Sequence, residues 1–149
     1  MRANIIAALF VLIIFGLFFV APQSCKASDG AFEQLSLELK NQGVSDQFIK
    51  ATGSSVKIIL SYAAPAADVK SVLLDLWSEG VKGRALKNAV AAVAELVKSG
   101  DNVLEAAKIA SGAAHKAEAE GLSGFFVGMR VKKAVEDRKA YLKASVKPS

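Results

Sequence analysis

The only histidine of the chain, His115, is the first residue to consider for chemistry, because imidazole is both a common metal ligand and a common acid–base group. A zinc or iron site needs three or four ligands, and the sequence places neither a second histidine nor a cysteine near His115. Glu118 lies about one helical turn further on. We therefore expect no metal and no other cofactor, and we interpret His115 as a surface residue of a helix.

The carboxylates lack the arrangement that acid–base catalysis needs, which is convergence in a cleft. They are scattered along the chain and mostly stand beside a lysine or an arginine, as on solvated helix faces. The close pairs Glu118/Glu120 and Glu136/Asp137 would diverge around a helix. The chain also lacks the Gly-x-Ser-x-Gly pattern of a nucleophile elbow. These patterns favour a protein that is not an enzyme.

Residues 53–57, Gly-Ser-Ser-Val-Lys, resemble a phosphate-binding loop because glycine and hydroxyl groups precede an apolar run. The Gly-x-x-x-x-Gly-Lys spacing of such a loop is absent. We interpret Gly53 instead as a boundary between two helices, with a serine capping the second.

A basic C-terminal segment is the strongest candidate for a binding surface. From residue 130 to the end, seven basic residues face only Glu136 and Asp137, a net charge of +5. Such a segment can meet an acidic protein partner or an anionic membrane surface, although a solvated helix face is the simpler interpretation. The candidate contact residues are Arg130, Lys132, Lys133, Arg138, Lys139 and Phe125.

Phe125 and Phe126 precede the basic residues, and on a helix their side chains point about 100° apart. Both cannot be equally buried, so one can form an exposed apolar spot beside the basic segment. We favour packing of both rings, with this spot as the alternative. Gly124 and Gly128 flank the pair, and we expect them to allow close packing on the alanine-rich helix before them.

The amino-terminal residues have the features of an export signal. Residues 1–4 include one basic side chain, Arg2, and residues 5–20 form an unbroken apolar run. As a helix this run spans about 24 Å, which is shorter than the roughly 30 Å hydrocarbon core of a bilayer. The length therefore favours a signal peptide over a membrane-spanning helix.

Cleavage after Ala27 would place Cys25 and Ala27 at the small-residue positions that signal peptidase requires. We predict a signal peptide over residues 1–27 and an exported domain over residues 28–149, in the periplasm, the cell envelope or the extracellular space. Cleavage removes the only cysteine, so the exported domain would contain no disulfide.

Two other interpretations of this segment stay open. In the first, residues 5–21 remain as an inner-membrane anchor, since local bilayer thinning accommodates a short apolar helix. In the second, the chain is a bacterial lipoprotein with Cys25 as the lipid attachment site. Pro22 and Gln23 depart from the aliphatic and small residues that usually precede such a cysteine, whereas Ser24 conforms.

The exported domain has helical patterns and no pair of strand-like segments. Residues 56–62 would suit a strand, but no second run exists to pair with them, so we interpret them as a buried helix. Trp77 lies at the edge of one apolar stripe, where its ring would half-emerge. The predicted elements are a polar joint at 28–30, a helix over about 31–41, a short helix capped by Ser45, a helix from Pro65 to Gly80, a helix between Gly83 and Ser99, an alanine-faced helix capped by Asp101, and a basic helix over 123–144.

These patterns predict an all-α fold, an irregular bundle of five to six short helices behind an N-terminal hydrophobic signal helix. Without residues 1–27 the chain loses Arg2 and Lys26 and no acid, so its net charge falls from +5 to +3. We expect no nucleic-acid partner. Our first hypothesis is a non-catalytic envelope or secreted protein that binds a protein partner or the membrane surface. The second is a carrier of a small apolar ligand between helices, and a small enzyme is the third.

Overall fold

The computed structural model describes residues 23–62, 64–78 and 83–145, with side chains from residue 28 onward. The apolar run at 5–20, the anchor interpretation of residues 5–21 and the predicted helix end at Gly80 lie outside the described residues. Within them the fold is an all-helical bundle of six helices without a strand. The helices are α1 Gln23–Asn41, α2 Asp46–Ser61, α3 Ala66–Ser78, α4 Gly83–Lys98, α5 Val103–Ala119 and α6 Gly124–Ser145.

The first helix begins earlier than predicted. Residues 28–30 are not a joint but part of α1, so the expected start at residue 31 is wrong. Part of this extension contacts α2, since Lys57 Nζ lies 2.7 Å from Asp29 Oδ1 and also stands 5.3 Å from the ring centroid of Phe32. The predicted cleavage site after Ala27 lies within the first turns of α1, and cleavage there would leave α1 to begin at Ser28.

The second helix is continuous through Gly53, so the predicted helix boundary and serine cap at this position are wrong. Gly53 is buried, and a Cβ atom added to it would lie 3.0 Å from Cζ of Phe32. Glycine is therefore present because α1 and α2 approach closely here, and the segment forms no phosphate-binding loop. The prediction that residues 56–62 belong to a helix is confirmed, with Tyr62 as its C-terminal cap.

The helix ends follow local chemistry. Ser45 caps α2 as predicted, since its hydroxyl accepts a hydrogen bond of 3.2 Å from the amide of Phe48. The predicted cap of α5 is wrong by one residue, because Asn102 accepts the capping bond of 2.8 Å from the amide of Leu104. The Asp101 carboxylate instead binds the guanidinium of Arg138 on α6.

The core is centred on α4, which packs against α2, α3, α5 and α6. The helix α5 presents small side chains to this core, and small side chains let neighbouring helices approach closely. Ala106 is fully buried and Ala107 is half-buried, whereas Gly112 on the same helix is exposed with open space around it. The buried face of α5 consists of Val103, Ala106, Ala110, Ala114 and Ala117.

None of the six described helices combines the length and the apolar content that a bilayer-spanning helix needs.

Candidate functional site

The helix α6 carries all six predicted contact residues. Its buried face consists of valines spaced four residues apart, Val127, Val131 and Val135, which face the rest of the bundle. Because 3.6 residues make one turn, every side chain roughly opposite this stripe must point to solvent. The packing of this stripe fixes the orientation of α6 about its own axis. This orientation determines which of its residues are accessible to solvent.

An exposed apolar patch lies on the first two turns of α6, and we call it the aromatic patch. It consists of Phe125, Phe126 and Met129, whose side chains are 64%, 52% and 55% exposed. The two rings meet edge to face, with centroids 5.5 Å apart. The expectation that both rings pack in the interior is wrong, because Val127 and its successors occupy the buried stripe.

Three of the five predicted basic residues form ion pairs within the bundle, namely Arg130, Arg138 and Lys139. The Arg138 guanidinium donates to both carboxylate oxygens of Asp101, at 2.7 and 2.9 Å. Lys139 Nζ donates to Glu95 at 2.8 Å and to Glu136 at 3.3 Å. Asp101 precedes α5 and Glu95 belongs to α4, so these two cations attach the second half of α6 to both neighbouring helices.

These contacts also shift the titration of the charged groups. The hydrogen bonds from Arg138 lower the pKa of Asp101 below its ordinary value, against the opposing effect of burial. The Asp101 side chain is only 4% exposed, which makes this pair the most enclosed ion pair among the described residues. Hydrogen bonding to Glu95 raises the pKa of Lys139, so its amine stays charged near neutral pH.

The remaining basic candidates are accessible. Arg130 forms an exposed pair with Glu120, at 3.1 Å. Lys132 and Lys133 are exposed and form no ion pair with a described residue. The predicted contact surface therefore separates into a group that is free to bind, with Phe125, Lys132 and Lys133, and a group that holds the fold together.

A shallow groove of about 320 Å³ runs between α4 and α6 beside the aromatic patch. A Cβ atom added to Gly128 would lie 2.6 Å from Nδ2 of Asn88, on α4. Gly128 therefore faces the Asn88 side chain of α4 and not the alanine-rich α5, and Gly124 has open space around it. The expectation for this glycine pair is corrected accordingly.

The other residues considered for chemistry are dispersed. His115 Nδ1 lies 4.0 Å from Glu118 Oε2 on the partly exposed surface of α5. Among the residues that the structure describes, no group of three or more His, Cys, Asp or Glu side chains is placed to hold a metal ion. Cys25 lies in the first turn of α1, and its side chain is outside the described part.

Trp77 half-emerges, as its place at the edge of the apolar stripe predicts. Its side chain is 37% exposed, and its ring lies 5.3 Å from that of Phe48 on α2, at an interplanar angle of 37°. Together these rings form one wall of a second cleft.

Comparison of the chain with protein families, with curated proteins and with solved structures finds no match. The function of this helical bundle must therefore be inferred from its own residues.

Proposed function

We propose that the protein is a small exported, non-catalytic protein that docks on an anionic membrane surface. The observation that carries the proposal is the aromatic patch, followed about one helical turn later by Lys132 and Lys133, which form no ion pair with a described residue. Aromatic rings and a methionine side chain at one end of a helix can insert at the boundary between lipid headgroups and acyl chains. Neighbouring lysines can then contact the headgroups.

The electrostatic surroundings of the patch favour lipid phosphates as its counterpart. The helix α6 contains no acidic residue before Glu136, and the amide groups of its first turn carry partial positive charge. The Arg130–Glu120 pair is exposed on both sides, and such pairs contribute little, so Arg130 can exchange this partner for a headgroup. Residues 124–135 of α6 thus carry three cations and no acid beside the apolar side chains.

The magnitudes are sufficient for reversible binding. Transfer of two phenylalanine rings out of water contributes about 3 kcal/mol when half of each is buried. Each lysine near an anionic surface adds about 1 kcal/mol at physiological ionic strength. The contribution of the rings, about 3 kcal/mol, exceeds that of the two lysines, about 2 kcal/mol. The aromatic patch therefore supplies the larger share of the affinity, and the lysines supply the preference for anionic lipid.

Export supports the same proposal, since the predicted signal over residues 1–27 delivers the domain to a compartment bounded by a membrane. An anchor at residues 5–21 or a lipid on Cys25 would also hold the domain at that surface. A protein partner is the other counterpart that the aromatic patch would suit, because aromatic residues, methionine and arginine are enriched at protein interfaces.

Vesicle binding by the protein recovered after export tests the proposal. Mass spectrometry first establishes its amino terminus, for which we expect a start near Ser28. Binding is then compared on phosphatidylcholine vesicles and on vesicles in which about a third of the lipid is phosphatidylglycerol. We expect preferential binding to the anionic vesicles, which weakens between about 50 and about 500 mM salt. Equal binding to the two compositions contradicts the proposal, and no binding to either assigns the patch to a protein partner.

A further inference from the structure

A second concave site lies where the start of α2, the end of α3 and the start of α4 meet, and none of the aromatic-patch residues lines it. Its volume is about 540 Å³, compared with about 320 Å³ for the groove beside α6. Sites for small molecules usually occupy about 300–1,000 Å³ and combine apolar walls with a few polar groups. The size of this cleft is therefore that of a ligand site.

The walls of the cleft are apolar and partly aromatic. Trp77 and Phe48 form one side, and Leu86 and Ala51 contribute the rest of the apolar surface. Phe48 and Leu86 are almost fully buried behind this surface, whereas Trp77 remains 37% exposed. An indole ring held against a buried phenylalanine and facing a hollow provides a rigid surface for a hydrocarbon chain.

Two cations line the same cleft. Arg84 and Lys87 are exposed on the first turns of α4, and neither forms an ion pair with a described residue. Gly83, where α4 begins, is also part of the lining, so the partial positive charge of the helix terminus adds to theirs. None of the described lining residues is acidic, and the nearby Asp46 pairs with Lys40 at 2.7 Å.

We infer that this cleft binds an amphipathic anion, a molecule with one carboxylate or phosphate headgroup and an apolar chain. Arg84 and Lys87 hold the headgroup through charge-assisted hydrogen bonds. The chain lies along Trp77 and Phe48, where it covers the exposed part of the indole ring. Arg84 also lines the groove between α4 and α6, but no residue of the aromatic patch lines this cleft. The proposed ligand is a narrower chemical class than apolar molecules in general, because it must carry an anionic headgroup.

The single tryptophan of the chain makes the inference directly measurable, because all indole fluorescence arises from Trp77. The exported protein is titrated with dodecanoate and with dodecyl phosphate, each below its critical micelle concentration. We expect a saturable shift of the emission to shorter wavelength and protection from iodide quenching. Dodecyltrimethylammonium is the chain-matched cation, and acetate is the headgroup without the chain; we expect neither to produce the shift. The two anions together distinguish a carboxylate ligand from a phosphate ligand.

Two variants connect the signal to the cleft. The double variant Arg84→Gln/Lys87→Gln should raise the Kd for dodecanoate by at least about tenfold, since it removes both charge-assisted contacts. The control Lys50→Gln/Lys98→Gln removes the same charge from exposed positions that do not line the cleft and should leave the Kd unchanged. Ala51→Phe fills the cleft from an exposed position and should abolish the shift while the far-ultraviolet circular dichroism stays helical.

An equal response to the anionic and the cationic chain, or no saturable response to either anion, overturns the inference. An unchanged Kd in the Arg84/Lys87 variant overturns it as well. The result is independent of membrane docking, because Phe125→Ser/Phe126→Ser leaves the cleft intact. That variant should therefore bind dodecanoate like the unaltered protein.

Discussion

The two halves of α6 carry the same kinds of side chain in different surroundings. In the first half, residues 124–135, Lys132 and Lys133 extend into solvent beside the aromatic patch. In the second half, residues 136–145, Arg138 and Lys139 are bound to carboxylates of the rest of the bundle. A basic helix is therefore not a uniform binding surface, because its positive charges also hold the helix in place.

The two groups of cations, Lys132 with Lys133 and Arg138 with Lys139, therefore have different roles. An exposed lysine without a partner loses little hydration before it meets a headgroup, whereas an arginine in a bidentate pair would first have to give up its carboxylate. We therefore expect the first half of α6 to determine binding and the second half to determine stability.

The largest expected effect belongs to the aromatic patch. Phe125→Ser/Phe126→Ser should weaken binding to anionic vesicles by at least about thirtyfold, because it removes most of the apolar surface that enters the lipid. Vesicle cosedimentation measures this change. The control is Leu37→Ser on α1, which alters a side chain with the same 64% exposure as Phe125 and should change binding less than about twofold. Similar losses in both variants would mean that any exposed apolar residue contributes and that the patch is not special.

The second-largest effect is expected on the folding stability that the second half of α6 provides. Asp101→Asn should lower the free energy of unfolding by about 1 kcal/mol, since it leaves the Arg138 guanidinium without a charged partner. Urea denaturation monitored by circular dichroism measures the change, and vesicle binding should stay the same. A loss of lipid binding in this variant would contradict the division of α6.

The same pair predicts how stability depends on pH. The pKa of Asp101 is lower in the folded protein than in the unfolded chain. The unfolded state therefore takes up more protons as the pH falls through the acid range. The stabilisation is complete above the unfolded-state pKa of about 4 and is lost as the pH falls through the folded-state value. The stability difference between the unaltered protein and Asp101→Asn should therefore be larger at pH 7 than at pH 3. An equal difference at both pH values would show that the carboxylate charge is not responsible.

The smallest effect is expected at the weaker partner of Lys139. Glu136→Gln should change the free energy of unfolding by less than about 0.5 kcal/mol, because this 3.3 Å pair is exposed on the glutamate side and Lys139 keeps Glu95 at 2.8 Å. Urea denaturation with the same probe measures it. A loss as large as that of Asp101→Asn would mean that contacts within α6 matter as much as contacts between helices.

The sequence predicts the helices themselves well, because apolar spacing and end signals are local. Ser45 and the helix between Gly83 and Ser99 illustrate this. The structure adds that Gly100 adopts a φ of 92° where the chain leaves α4. Features that depend on a distant partner were predicted wrongly. Gly53 and the two serines after it have the composition of a helix boundary. Gly53 nevertheless lies within α2, where Phe32 of α1 packs closely against it.

The candidate site shows the same limit. Asp101 and Asn102 are equally good caps by composition, and the choice between them depends on Arg138, which lies 37 residues away in the chain. The aromatic patch, in contrast, could have been found from the sequence. The spacing of Val127, Val131 and Val135 places Phe125 and Met129 away from the buried face, which is a local property of α6.

The most direct measurement compares two variants of α6 that lose the same charge. Lys132→Gln/Lys133→Gln alters the first half of the helix, and Arg138→Gln/Lys139→Gln alters the second. For the first variant we predict binding to anionic vesicles at least about tenfold weaker and an unchanged thermal midpoint. For the second we predict a midpoint lower by about 3 °C or more, with binding retained below that temperature. Equal losses of binding in the two variants would show that total charge governs docking, and the proposed division of α6 would then be wrong.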